Sequence, residues 1–284
     1  MKDRRLLVVD FDYFFPVVEL FNEERLSQAT PRQRDTYLAT KDHWPLYDWG
    51  HSETHSPSLL DHLWHIRAAG FAAAGLHFPG LIIDQIQAFW KEVRLTKHAD
   101  LFYADSNANV MDDRVHRGMQ SIVILDAHHD AGYNENAVEE VVSKSAVSCE
   151  NWVIPFVLNG RDVELHYPSW RFYAPSIEPE PQVPLTRIVD PPRFNFGDLG
   201  VFDRVFVCRS GAWVPSWLDT YFWQFIGQSP TQRHIAIASI MPRGWNIEFV
   251  HDLVTQFKAA KAMADSSNEK LAFELKLPED PNAL

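Results

Sequence analysis

Three potential metal ligands stand at alternate positions in the stretch SIVILDAHHDAGY, residues 121–133: Asp126, His128 and Asp130. They follow an apolar, partly β-branched run, residues 121–125. An Asp-x-His-x-Asp set offers hard oxygen and borderline nitrogen donors, a mixture that suits Mn²⁺, Fe²⁺ or Zn²⁺. Two carboxylates allow one to bridge two ions, and a two-ion centre generates a hydroxide at neutral pH for attack on an electrophilic carbon. The competing structural reading has Asp126 capping a turn and His128 or His129 packed in a loop. Placement after a strand, with Gly132 following, favours the metal reading.

Such residues need a frame to position them. Short apolar runs alternate with helical patterns along the chain. Residues 6–9, 101–104 and 121–125, and the stretches VELHYP, TRIVD, RVFVCRS and HIAIASI, read as strands. SPSLLDHLWHIRAAGFAAAG reads as a helix, with Ser56 as its cap, Pro57 in its first turn and Gly75 at its end. Further helices are expected over residues 81–93, 138–144, 215–228 and 246–264. ENWVIPFVLNG contains Pro155, so a helix there is short or kinked. The alternation implies an α/β fold, a three-layer sandwich with a mostly parallel central sheet. Four apolar runs end in polar residues: Asp10 and Asp12, Asp105 and Ser106, residues 126–130, and Cys208 with Arg209 and Ser210. Open α/β sheets form their sites at the carboxyl ends of strands, so these four clusters are expected to share one cleft.

With 284 residues, 46% of them hydrophobic, the chain has enough apolar material for one large core. The expectation is a single domain over 1–284, with APSIEPEPQVP (174–184) as a semi-rigid loop and 276–284 as a loosely ordered tail. The net charge of −12 argues against a nucleic-acid partner and favours a cationic substrate. Two cysteines, Cys149 and Cys208, without a CxxC pair, indicate no disulfide framework and fit the cytoplasm. The N-terminal apolar run is broken by Asp10 and Asp12, unlike a signal peptide, and no run is long enough for a membrane span. An oligomer is compatible with these features.

LDAHHD resembles the Asp-Ala-His-x-Asp motif of the ureohydrolase superfamily, which includes arginases and agmatinases. That family carries a second landmark upstream, a strand ending in Asp-His. Here LFYADSNAN takes its place, with Asp105 lying 21 residues before Asp126. CENWVIPFVLNGRDVELHYPSW (149–170) is similar to a segment of a divergent branch that includes the peptide arginases, which convert arginine to ornithine within a ribosomally made peptide. The resemblance covers residues 101–170 well and the rest only by strand order. It implies an arginase-like three-layer α/β fold and a Mn²⁺ centre of one or two ions with Asp126, His128 and Asp130 as ligands. It also implies hydrolysis of a guanidinium group to urea, on an arginine-containing peptide or a small guanidino compound.

Two departures stand out. The upstream His is replaced within Asp105-Ser106-Asn107, and Ser106 is a poor ligand. The family's second Asp-x-Asp strand end is missing from DRVFVCRSGAW. Asp10 and Asp12 are candidates to complete the centre, as strand-end residues that alternation aims to one side. They also fit two other readings: the nucleophile and acid of a haloacid dehalogenase-like phosphohydrolase, or a structural acidic strand end. DWGHSETHS (48–56) offers His51 as a substitute ligand and Glu53 as a guanidinium acceptor or proton acceptor. Asp126, His129 and Glu53 are thus the catalytic candidates. Glu150, Asn151 and Arg209 are the substrate-binding candidates, although Glu150 and Asn151 also suit a helix start and Arg209 also suits charge neutralisation. Trp49, Trp170 and Trp213 are expected to line a peptide groove. A non-catalytic relative that binds a basic peptide is the remaining alternative.

Overall fold

The computed structural model of the chain describes residues 4–15, 57–73, 81–171, 178–211 and 213–267. His51, Glu53, Trp49, the Ser56 and Gly75 helix signals and the tail 276–284 lie outside the described residues. The chain divides into two compact units. The described residues of the smaller unit are 57–73, 215–217 and 241–267; those of the larger comprise the rest.

Among the described residues the larger unit has seven strands: β1 (Arg5–Asp10), β2 (Arg94–Ala104), β3 (Ser121–Leu125), β4 (Asp162–Tyr167), β5 (Thr186–Val189), β6 (Val201–Cys208) and β7 (His234–Ala236). They form one sheet in the order β5-β4-β3-β1-β6-β2-β7. Every pairing is parallel. The fold is therefore α/β with a wholly parallel central sheet, a three-layer sandwich. The inner strands show why. Leu6, Leu7, Val8 and Val9 of β1, and residues 122–125 of β3, are buried without alternation, which requires cover on both faces. Leu6, Val8, Ile122, Ile124 and Leu165 pack with Trp152 and Phe156, near helix α5 (Ile154–Leu158). A separate group of rings joins Phe11 and Phe14 to helices α2 (Ile83–Glu92) and α6 (Asp219–Gly227). Phe14–Phe89 and Phe89–Phe225 centroids lie 6.0 and 5.0 Å apart, and the Trp90 indole donates to the Phe225 carbonyl at 2.7 Å.

The order of strands also locates a crevice. After β1 the chain proceeds to β2 on one side, whereas after β3 it proceeds to β4 and β5 on the other. Neighbouring strands whose connections leave in opposite directions open a gap at their carboxyl ends, where open α/β sheets bind ligands.

In the smaller unit, α1 (Pro57–Ala73) packs on α7 (Ile247–Ser267). Asn246 caps α7, its Oδ1 accepting from the Glu248 and Phe249 amides. The His65 ring accepts from the Asn246 amide at 2.8 Å and stacks on Trp245, and His62 lies 5.5 Å from Phe249. Both histidines thus pack between the two helices.

Candidate metal centre

β1 and β3 end in the same way. The Asp10 carboxylate accepts the Asp12 amide at 3.1 Å, and the Asp126 carboxylate accepts the His128 amide at 2.8 Å. Each strand-end aspartate thus turns its own chain two residues on. This corrects the expectation of strand alternation. Asp12 lies in a 3₁₀ turn, Phe11–Phe14, and the turn rather than the pleat brings it back into the crevice.

The two turns lock together. Asp12 Oδ1 accepts the Ala127 amide at 3.3 Å, and Asp12 Oδ2 meets His128 Nδ1 at 3.1 Å. The ligand atoms of Asp12, Asp126 and His128 all lie within 4.8 Å of one another. Asp130 joins them from a left-handed backbone position, φ 46°. The Trp152 indole donates to its Oδ2 at 2.8 Å, and the Tyr133 hydroxyl donates to its Oδ1 at 3.3 Å. Gly132, at φ 85°, completes the turn; a Cβ there would lie 2.6 Å from Ala137 Cβ.

Asp10, Asp12, Asp126 and Asp130 are each at most 8% exposed. No Lys or Arg among the described residues pairs with any of them. Burial, with the charges of neighbouring aspartates, holds the Asp10 and Asp126 carboxyls well above the usual carboxylate range. Burial pushes Asp130 up to about 7, against the opposing pull of His128, Trp152 and Asn107. These are the signatures of acids gathered in a low-dielectric site with no Lys or Arg beside them among the described residues. The donor set, carboxylate oxygens with one imidazole, fits a divalent transition metal. A buried acceptor beside it, Asn107 Oδ1, has no hydrogen-bond partner.

Five candidates therefore meet: Asp10, Asp12, Asp126, His128 and Asp130. The others are placed differently. His129 has both ring nitrogens engaged by backbone, Nε2 with the Pro179 carbonyl at 2.9 Å and Nδ1 with the Ala131 amide at 3.0 Å; burial lowers its pKa, so it stays neutral. Asn151 shapes its own loop, accepting from the Ser148 amide and donating to the Ala146 carbonyl. The Glu150 carbonyl accepts the Gly132 amide at 2.9 Å, so its backbone braces the ligand loop. Arg209, 1% exposed, ion-pairs with Asp105 through Nε and Nη2 and with Asp219 through Nη1 at 2.9 Å. Of its two sequence readings, neutralisation is the one its contacts satisfy. Trp213 leans on His128, with ring centroids 4.8 Å apart, whereas the Trp170 indole donates to the Tyr13 carbonyl.

Asn107 is the residue the sequence reading passes over. Its side chain donates to Asp10, Asp126 and Asp130. The signal lies in Asp105-Ser106-Asn107, where Ser106 stands at the position of the missing His and its hydroxyl caps the following 3₁₀ turn. β1 pairs directly with β3, which sets Asp10 and Asp12 beside residues 126–130. No protein-family model matches the chain, and no curated protein or solved structure is significantly similar to it.

Proposed function

We propose that the protein is a metal-dependent hydrolase that cleaves the guanidinium group of arginine, within a peptide, to ornithine and urea. The observation that carries this reading is the meeting of Asp12, Asp126 and His128 within 4.8 Å at the β1–β3 crevice, with Asp10 and Asp130 buried beside them. Asp12, Asp126 and His128 would hold the ion, with Mn²⁺ as the expected metal. When bound, such an ion supplies Lewis acidity and lowers the pKa of water. The protein's own groups do the rest. The acids attract a cation and accept its N–H groups, a geometry a planar guanidinium satisfies well. The Trp213 ring beside His128 offers a π-face to the same cation. The phosphohydrolase alternative is disfavoured by the same charges: Asp10 has its oxygens engaged by the Asp12 amide and Asn107, and a phosphate would enter among acids.

Among the described residues, no helix is long and apolar enough to cross a membrane. Neither Cys149 nor Cys208 is in a disulfide; the cytoplasm is the proposed compartment.

The test uses protein purified without chelator, beside a variant carrying Asp126→Ala and His128→Ala. Plasma mass spectrometry should find Mn in the first and not in the second. Urea and an ornithine-containing product should form from arginine peptides only with the first. Absence of metal after Mn²⁺ loading would overturn the reading. Metal without urea from arginine or any arginine peptide would leave a metal-bearing module that binds a basic peptide.

A further inference from the structure

Asn107 opens a 3₁₀ turn, Asn107–Met111, at the end of β2, and reaches past β6 to the ends of β1 and β3. Its Nδ2 lies 2.6 Å from Asp10 Oδ2, 3.2 Å from Asp126 Oδ2 and 3.2 Å from Asp130 Oδ2. A carboxamide nitrogen carries two hydrogens, so three carboxylate oxygens converge on a donor that can serve two. The same amide leaves Oδ1 buried and unpartnered. A neutral amide thus stands where three anionic oxygens meet, a position whose surroundings suit a cation.

Asp126 separates this position from the first one. Its Oδ1 lies on the His128 side, accepting the His128 amide and 3.7 Å from His128 Nδ1. Its Oδ2 lies on the Asn107 side. One carboxylate therefore borders two places: the Asp12–Asp126–His128 corner, and the Asp10–Asp126–Asp130 corner filled by the Asn107 amide.

We propose that the Asn107 carboxamide takes the place of a second cation and limits the centre to one divalent ion, held in the Asp12–Asp126–His128 corner. This rests on the metal reading above and settles a point it leaves open, one ion or two. It also bears on the substrate. One divalent ion leaves the four aspartates with uncompensated negative charge to attract a guanidinium, whereas two ions would cancel it. Asn107 is a positioning residue in this scheme: it separates the acids of the second corner.

The test is Mn²⁺ stoichiometry of the chelator-stripped full chain, by equilibrium dialysis and plasma mass spectrometry, with electron paramagnetic resonance of the loaded protein. Wild-type chain should take about one ion and give the spectrum of an isolated Mn²⁺. Asn107→Asp, which is isosteric and replaces the donor with a ligand oxygen, should approach two ions and show an exchange-coupled pair. Asn107→Ala, which vacates the corner without adding charge, should do the same at higher Mn²⁺ and serves if the aspartate variant fails to fold. Two ions in the wild-type chain, or one ion in both folded variants, would overturn the inference while leaving the hydrolase reading intact. No ion in any of the proteins would remove both.

Discussion

Two groups of acids lie at the carboxyl edge of the sheet, and they are resolved in opposite ways. Asp105, just past the end of β2, and Asp219, in the first turn of the helix Asp219–Gly227, share one internal guanidinium, that of Arg209, whose side chain is 2% exposed. At the ends of β1 and β3, Asp10, Asp12, Asp126 and Asp130 have an imidazole and an amide for company but no Lys or Arg among the described residues. The first group is complete within the chain. The second has no such partner among the described residues, and the raised pKa values of Asp10, Asp126 and Asp130 express that. Acids that carry their own counter-ion serve the fold, whereas buried acids left without one are prepared for a cation from outside.

The largest effect is expected where the internal counter-ion is removed. Arg209→Met should destabilise the protein by about 2–3 kcal/mol in denaturant unfolding, because it leaves Asp219, 13% exposed, without its guanidinium, while Asp105, 37% exposed, stays solvated. Mn²⁺ affinity should change little. A loss of Mn²⁺ binding with unchanged stability would erase the distinction between the two groups.

The second group should respond to pH instead. Raised carboxyl pKa values mean that the metal-free folded chain holds protons the unfolded chain releases. That contribution is complete below the ordinary aspartate value, near 3.8, and is lost as pH rises through the folded value, about 7 for Asp130. Metal-free protein should therefore lose stability between about pH 4 and pH 7, on the order of a few kcal/mol in total. Mn²⁺ should restore it progressively over the upper part of that range, since the ion needs the deprotonated ligands. Melting curves at several pH values, with and without Mn²⁺, decide this; a flat metal-free profile would argue that the acids are already compensated.

Asp12→Asn tests the same contrast with the sign reversed. The new amide can still accept from Ala127 N and can donate to His128 Nδ1, so the local hydrogen bonds survive while one charge disappears. Metal-free stability near neutral pH should rise, on the order of 1 kcal/mol. Mn²⁺ affinity should fall at least about tenfold, as an anionic ligand is lost. Destabilisation without loss of Mn²⁺ would place Asp12 with the structural acids.

How far these groups were legible in the sequence differs for the same reason. Residues 122–125 and Leu6 to Val9 are unbroken apolar runs, so the central strands and the parallel sheet follow from pattern. The first half of β2 does not, because residues 94–98 are partly or fully exposed and carry Arg94, Lys97 and His98. The Asp-x-His-x-Asp set was visible because its members are close in sequence. Its union with Asp12 was expected from the shared strand ends, although the pairing 116 residues long that makes it depends on strand order; the reach of Asn107 to Asp126, 19 residues on, was not visible. Arg209 was ambiguous for a related reason: only the fold shows that Asp105, 104 residues away, already holds it.

Trp213 marks where the comparison bears on substrate. In the first group the guanidinium belongs to the chain; in the second the substrate would bring it. The half-buried Trp213 ring, tilted 37° against His128, would be the π-surface for such a cation. Trp213→Ala should therefore raise KM for an arginine peptide by about 2- to 30-fold, corresponding to roughly 0.5–2 kcal/mol of cation–π attraction. The turnover number should stay nearly constant, because uniform binding is lost without loss of transition-state contacts. Trp213→Phe should recover part of the affinity. The opposite split, a reduced turnover with unchanged KM, would assign the ring to orienting His128 rather than to holding the substrate.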